Sequence, residues 1–402
     1  MKETVLEINW KKNLIYVWLT QILAMAGYSA ITPFIPLFIK EKYNIHDEKT
    51  LGVWVSLITF FGFFSFCLSA PLWGVLADKY GRKLMLLRSY FVTGLLFPLL
   101  FFAPSIYWLI AIRFAVSAFS GTATAAQTLI VTTTPPEHHG VALGTFSTSI
   151  WSGNMIGFLC GAFFVNCFGY FWGFCACGAM YLLSGFITLF LVKENFVPQP
   201  EKEKKEKQSF WGGLKGLSWG IWGIFLLFVL MGIARRFDEP FIPILVEQIS
   251  GQDTAVFYTG IISMIAALGG LFSGILMGKL CDRFSPFAVA VPAILLSALT
   301  MVFQAFAMGL WVLGGARFLH FTAAGGLEPA FQSLLSRLSP EEKRGTLFGI
   351  ASSMRMIGIL IASLLSGGVI YLFGIRAVFL GTAVLFLLLL PLLWFTKKNI
   401  KS

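Results

Sequence analysis

The chain has 402 residues, of which 57% are hydrophobic and 12% charged, and its formal net charge is +11. A soluble chain of this length cannot bury so much apolar surface, which excludes an ordinary globular protein. The basic excess is spread among the gaps between apolar runs rather than gathered in one patch. That reports topology and contact with anionic lipid heads, and nucleic-acid binding is excluded as its cause.

The apolar runs recur at the length that crosses a hydrocarbon core of ~30 Å as a helix of ~20 residues. Twelve spans are predicted: 13–39, 51–77, 84–103, 105–131, 141–168 and 170–192, then 219–246, 254–280, 287–306, 308–334, 346–371 and 374–395. Helices satisfy their backbone polar groups within each span, as a bilayer requires. The opening "MKETVLEINWKKN" has no signal-peptide cleavage pattern, so the first span is expected to be retained. With both termini placed in the cytoplasm, cytoplasmic ends and loops hold 21 Lys and Arg, and outer loops hold four: Lys40, Lys42, Lys49 and Arg376. This is the positive-inside pattern.

Residues 193–218, from "KENFVPQPEKEKKEKQ" onward, combine Pro and mixed charge without an apolar period. They are expected to be a cytoplasmic linker between an N-terminal six-helix bundle, 1–192, and a C-terminal one, 219–402. The halves repeat each other. "PFIP" at 33–36 returns at 240–243, and "GVLAD" at 74–78 returns as "GKLCD" at 278–282. Arg113-Phe114 returns as Arg317-Phe318, and Gln127, Gly140 and Gly144 return as Gln332, Gly345 and Gly349. Repeated helical bundles are a transporter architecture. The doubled phrase marks spans one and seven as equivalent, with two prolines loosening the outer end of each.

Between spans two and three the chain reads "GVLADKYGRK". Gly74, Asp78, Lys79, Gly81, Arg82 and Lys83 fit G-x-x-x-D-[RK]-x-G-R-[RK], and a shorter copy with Asp282 and Arg283 stands at the symmetric place. The chain thereby resembles the major facilitator superfamily. The resemblance implies an all-α membrane protein with twelve transmembrane helices in two pseudo-symmetric six-helix bundles. It also implies that Asp78 meets the start of span eleven near Gly345 and latches the cytoplasmic side, with Arg82 bracing it. Gly74 is expected to allow close helix packing and Gly81 an unusual turn. Span five carries Gly144, Gly153, Gly157 and Gly161. These resemble the antiporter motif G-x8-G-x3-G-P-x2-G-G, with Phe158 in place of proline and Ala162 in place of the last glycine.

Apart from Arg88, Lys279 and Arg376 at span ends, eight charged residues lie within the spans: Arg113, Arg235, Arg236, Asp238, Glu239, Arg317, Glu328 and Arg355. Such groups are costly in a bilayer and usually face a bundle interior. Arg113 resembles the embedded arginine of the family, with Ser117 where the family has Gly. It reads either as a cavity residue or as half of a buried pair bracing helices. Helical spacing predicts Arg235 paired with Asp238 or Glu239, and Arg236 with Glu239. That cluster reads either as the coupling site or as a merely self-neutralised group. Glu328, about 16 Å along the helix from Arg317, is expected near the cytoplasmic interface.

The six Cys show no metal-ligand spacing, no phosphate-binding G-x-x-x-x-G-K-[ST] loop occurs, and no catalytic set is visible. Neither cofactor, metal nor enzymatic activity is expected. The resemblance is closest to bacterial twelve-span drug–proton antiporters. It implies proton-coupled efflux of lipophilic or amphiphilic small molecules by a monomer in the bacterial inner membrane, in contact with protons and lipids. The excess of embedded arginines keeps an uptake carrier or exchanger for an anionic metabolite as the alternative.

Overall fold

The structure is a computed structural model describing residues 9–196, 219–340 and 343–400, without the side chains of residues 275, 278, 281, 282, 399 and 400. The described residues are almost entirely helical, and eleven of their helices are long and apolar enough to cross a membrane. Most of the predicted linker, 197–218, lies outside the described residues. The expected single span ten is instead two pieces, Leu310–Ala324 and Leu327–Leu338, and is not among the eleven. Gly325 and Gly326 separate them, and Gly weakens helix interiors by leaving the backbone unconstrained.

The chain divides into two compact units. The first takes residues 1–43, 61–200 and 256–264, and the second takes 44–60, 201–255 and 265–402. The first holds α1 (Trp10–Ile31), α2 (Ile35–Lys42), most of α3 (Glu48–Tyr80), α4 (Arg82–Leu99), α5 (Ile106–Phe119), α6 (Thr122–Thr133), α7 (His139–Phe168) and α8 (Tyr170–Leu191). The second holds α9 (Trp219–Arg236), α10 (Ile242–Ser250), most of α11 (Gln252–Arg283), α12 (Pro286–Ala305), α13 (Leu310–Ala324), α14 (Leu327–Leu338), α15 (Arg344–Phe373) and α16 (Ile375–Ile400).

The doubled "PFIP" is where α1 gives way to α2 and α9 to α10. A short 3₁₀ turn, Thr32–Phe34 or Glu239–Phe241, interrupts each pair. Proline removes an N–H and crowds the preceding turn, so the helix stops and restarts.

Inside the first unit, the glycine stripe of α7 lies on α1. A Cβ at Gly153 would come within 2.6 Å of the Ile22 carbonyl oxygen, and Cβ atoms at Gly157 and Gly161 would collide with the backbone of Ala26 and Ala30. The second unit repeats the device. Gly358 of α15 meets the Val229 carbonyl of α9, and Gly232 of α9 meets the carbonyl of Arg355. Close approach of backbones replaces the hydrophobic drive that lipid cannot supply. Gly144 takes no part, since a Cβ there would meet nothing within 4 Å. A core of Phe225, Phe228, Phe331, Leu334 and Phe386 fills the second unit. Outward-facing apolar side chains remain bare, with Trp108, Trp172, Trp311 and Trp394 near helix ends. That is how a helix bundle meets lipid and its aqueous borders.

Candidate functional site

The second unit brings seven of the eight embedded charges together. Helix α9 ends at Arg236, and Phe237 and Asp238 form a bend. The helical spacing that would pair Arg235 with Asp238 is therefore lost. Asp238, 2% exposed, instead takes a hydrogen bond from Arg317 Nη1 of α13, itself 3% exposed. Arg317 Nη1 also donates to Gln304 Oε1 of α12 at 3.1 Å. Arg235 Nη1 turns to Glu328 Oε2 of α14 at 3.1 Å, and Arg355 Nε of α15 lies 3.6 Å from the other oxygen of that carboxylate. The Arg236–Glu239 pair forms at the expected three-residue spacing and is the more open one, with both side chains 42% exposed.

Glu328 stands in the first turn of α14. The break at Gly325–Gly326 stops α13 from carrying it onward in register, and it sits between two arginines, one near the end of α9 and the other within α15. Gly232 and Gly358 make this possible, because the close approach of α9 and α15 sets Arg235 and Arg355 side by side. One carboxylate is shared by two guanidiniums, whereas Asp238 answers to one. Buried charges persist only when paired in this way.

In the first unit, Arg113 is 9% exposed. Its Nη2 donates to the Tyr28 hydroxyl at 3.3 Å, and its guanidinium carbon lies 5.6 Å from the centroid of that ring. Its Nη1 is buried without a hydrogen-bond partner. Gly62 passes close by, 3.5 Å from Arg113 Nε for an added Cβ.

The loop motif is built locally. Gly81 has φ +94°, a conformation that side chains resist, and it turns α3 into α4. Asp78 binds Arg82 Nη2 at 2.9 Å, and its side chain is 77% exposed. The N-terminus of α4 is capped instead by Glu194, which follows α8. Its two oxygens accept the Arg82 and Lys83 N–H groups at 2.9 and 2.8 Å. Lys83 Nζ reaches the Leu189 carbonyl at 2.9 Å, and Lys79 Nζ lies 5.3 Å from the centroid of the Tyr80 ring. Gly74 does not pack closely as expected; an added Cβ there would meet nothing within 4 Å. In the second copy, Arg283 ends α11, and the Asp282 side chain lies outside the described residues.

Sequence reasoning missed Tyr28, Gln304 and Glu194. Each is a polar residue whose partner comes from a remote part of the chain, and none belongs to a local motif. Among the described residues no group of His, Cys, Asp and Glu could hold a metal ion.

A family model described as Major Facilitator Superfamily matches residues 17–312 and 224–402. The chain belongs to the major facilitator superfamily. As a member it is an integral membrane transporter of small molecules, not an enzyme. Multidrug resistance protein MdtG of Klebsiella pneumoniae (strain 342) is 32% identical over 377 residues, covering 94% of this chain and 91% of that protein. MdtG of Escherichia coli (strain K12 / DH10B) is also 32% identical over 377 residues, covering 94% and 92%. Two solved structures share the superfamily fold. One is a bacterial homolog of the human lysosomal transporter Spinster, inward-facing and unoccupied, with TM-score 0.73 and 16% identity over 98% of both chains. The other is the nucleoside transporter NupG, with TM-score 0.77 and 12% identity over 94% of this chain and 98% of that one.

Proposed function

We propose that this transporter is a multidrug efflux carrier of the bacterial inner membrane, with both termini cytoplasmic, exchanging lipophilic or amphiphilic compounds for protons by alternating access. The substrate side of the reading leans on the two MdtG relatives, whose names declare multidrug resistance and which align over nearly their whole length. The coupling side rests on one observation, the buried Asp238–Arg317 pair.

Asp238 is the candidate proton carrier. Protonating it leaves one guanidinium uncompensated, and Gln304 remains to hold that guanidinium through its amide oxygen. Protonating Glu328 would leave Arg235 and Arg355 together without their shared carboxylate, two like charges side by side. Glu239 is half open to its surroundings, so its charge state changes the interior field least. A neutral Asp238 releases α13 from the α9–α10 link, and a ligand or proton shifts a conformational equilibrium only through such a differential interaction.

The test uses proteoliposomes with an imposed pH gradient and a fluorescent lipophilic cation. Asp238→Asn is expected to abolish uphill transport while keeping substrate exchange across equal pH, a sign that the carrier still folds and cycles. Uphill transport by Asp238→Asn at the normal rate sinks the assignment. If Glu328→Gln alone loses the drive, the proton belongs to α14.

A further inference from the structure

The start of α3 carries a carboxylate that belongs to no motif. Asp47 caps the helix, its Oδ2 accepting the Thr50 N–H at 2.9 Å, and this places Glu48 in the first turn. Glu48 Oε1 accepts the backbone N–H of Ile375 at 2.8 Å, and Oε2 accepts Gln248 Nε2 at 2.7 Å. Ile375 opens α16 directly after Gly374, whose φ is +82°. Its N–H is one of the first four that a helix leaves without an internal acceptor, and it lies at the positive end of the helix dipole. Gln248 stands on α10. One side chain of α3 therefore bonds two separate helices of the second unit.

The contacts just beyond have no such direction. A Cβ at Gly52 would lie 2.5 Å from Ile370 Cγ2, and one at Gly367 would lie 2.5 Å from Ser56 Oγ. Small residues allow α3 to lie close on α15, yet they resist sliding or parting weakly. Charge-assisted hydrogen bonds are about twice as strong as neutral ones. The rest of α3, beyond residue 60, belongs to the first unit and runs on to Asp78.

We propose that Glu48 is a latch at the opposite end of α3 from Asp78, holding the outer end of that helix on α10 and α16 and releasing each time the outer side opens. The inference rests on the alternating-access reading above, and its test reads a distance rather than transport. A failure of proton coupling at Asp238 would leave that distance result untouched.

The experiment uses the full chain in lipid nanodiscs, with its native cysteines replaced and spin labels at Lys49→Cys on α3 and Tyr371→Cys on α15. Both positions are exposed. Pulsed electron resonance then gives the distance distribution. Glu48→Gln and Glu48→Ala are expected to raise the ratio of long to short distances roughly tenfold, the loss of one charge-assisted bond. Gln248→Ala should give a smaller rise in the same direction. Asp253→Asn, an exposed acid in the first turn of α11, should change nothing. Should Glu48→Ala fail to fold, Glu48→Gln and Gln248→Ala decide. Wild-type distributions in both overturn the latch. So does a lowered unfolding temperature with no new long-distance population, which would make Glu48 a static brace.

Discussion

At the scale of single residues, burial and pairing separate roles that charge alone leaves mixed. Arg113 is held by Tyr28 through both hydroxyl and ring, and one of its nitrogens is buried without a partner. Arg113→Ala is expected to lower the proton-driven transport rate by more than about tenfold, since it removes charge and fork together. Arg113→Lys should retain an intermediate rate. Tyr28→Phe should lose roughly fivefold, the worth of one hydrogen bond of ~1 kcal/mol. Normal rates for Arg113→Ala would leave it a helix brace. Asp78 presents the reverse case. With its side chain 77% exposed, its bond to Arg82 is worth at most about 1 kcal/mol. Asp78→Asn should therefore leave the unfolding temperature unchanged while transport falls roughly tenfold or more, provided that Asp78 engages a helix N-terminus elsewhere in the cycle. Unchanged turnover in that variant would remove the latch role.

At the scale of helices, the two glycine stripes are where α1 meets α7 and α9 meets α15. Gly161→Val would drive two methyl groups into the backbone of Ala30 and should destabilise by about 3 kcal/mol or prevent folding. Gly144→Ala, on the same helix but facing open space, should be neutral or slightly stabilising because Ala is the better helix former. Thermal unfolding of the purified protein in detergent compares the two; equal losses would mean the stripe does not pack as described. The start of α3 adds a pH dependence. The Thr50 hydroxyl and N–H beside Asp47 hold its carboxyl below the usual aspartate value of 3.8. A lowered folded pKa means that the cap contributes fully above 3.8 and is lost as pH falls through the lower folded value. Unfolding temperature should fall along that acid limb, and less steeply in Asp47→Ala.

At the scale of the whole molecule, the two units do not coincide with a simple cut after residue 192. Residues 44–60 belong to the second unit and 256–264 to the first. Each half of the chain thus lends a segment to the other unit. Expressed separately, 1–200 and 201–402 are each expected to accumulate poorly, and together they should restore transport. Full stability of either piece alone would show that the exchanged segments are dispensable. The positive-inside distribution belongs to this scale too, because it depends on the summed charge of loops and not on any one residue.

Eleven of the twelve apolar runs, and the loop motif, were legible in the sequence, because bilayer thickness, helical rise and backbone satisfaction act on local composition. The stop at "PFIP" and the turn at Gly81 were legible for the same reason, since proline and glycine act on their own backbone. Which partner a charged side chain takes was only partly legible, because α9 stops at Arg236. Arg236 found Glu239 three residues away, but the bend after Arg236 sent Arg235 to Glu328 and Asp238 to Arg317. Span ten broke at Gly325–Gly326, and that brought Glu328 to the arginines of α9 and α15. By itself, the sequence determined that this chain is a two-fold repeat of membrane helices with charges inside. Tertiary structure alone decided which acids meet Arg235, Arg317 and Arg355, because a buried charge takes whichever partner packing brings within ~3 Å, however far away in the chain that partner lies.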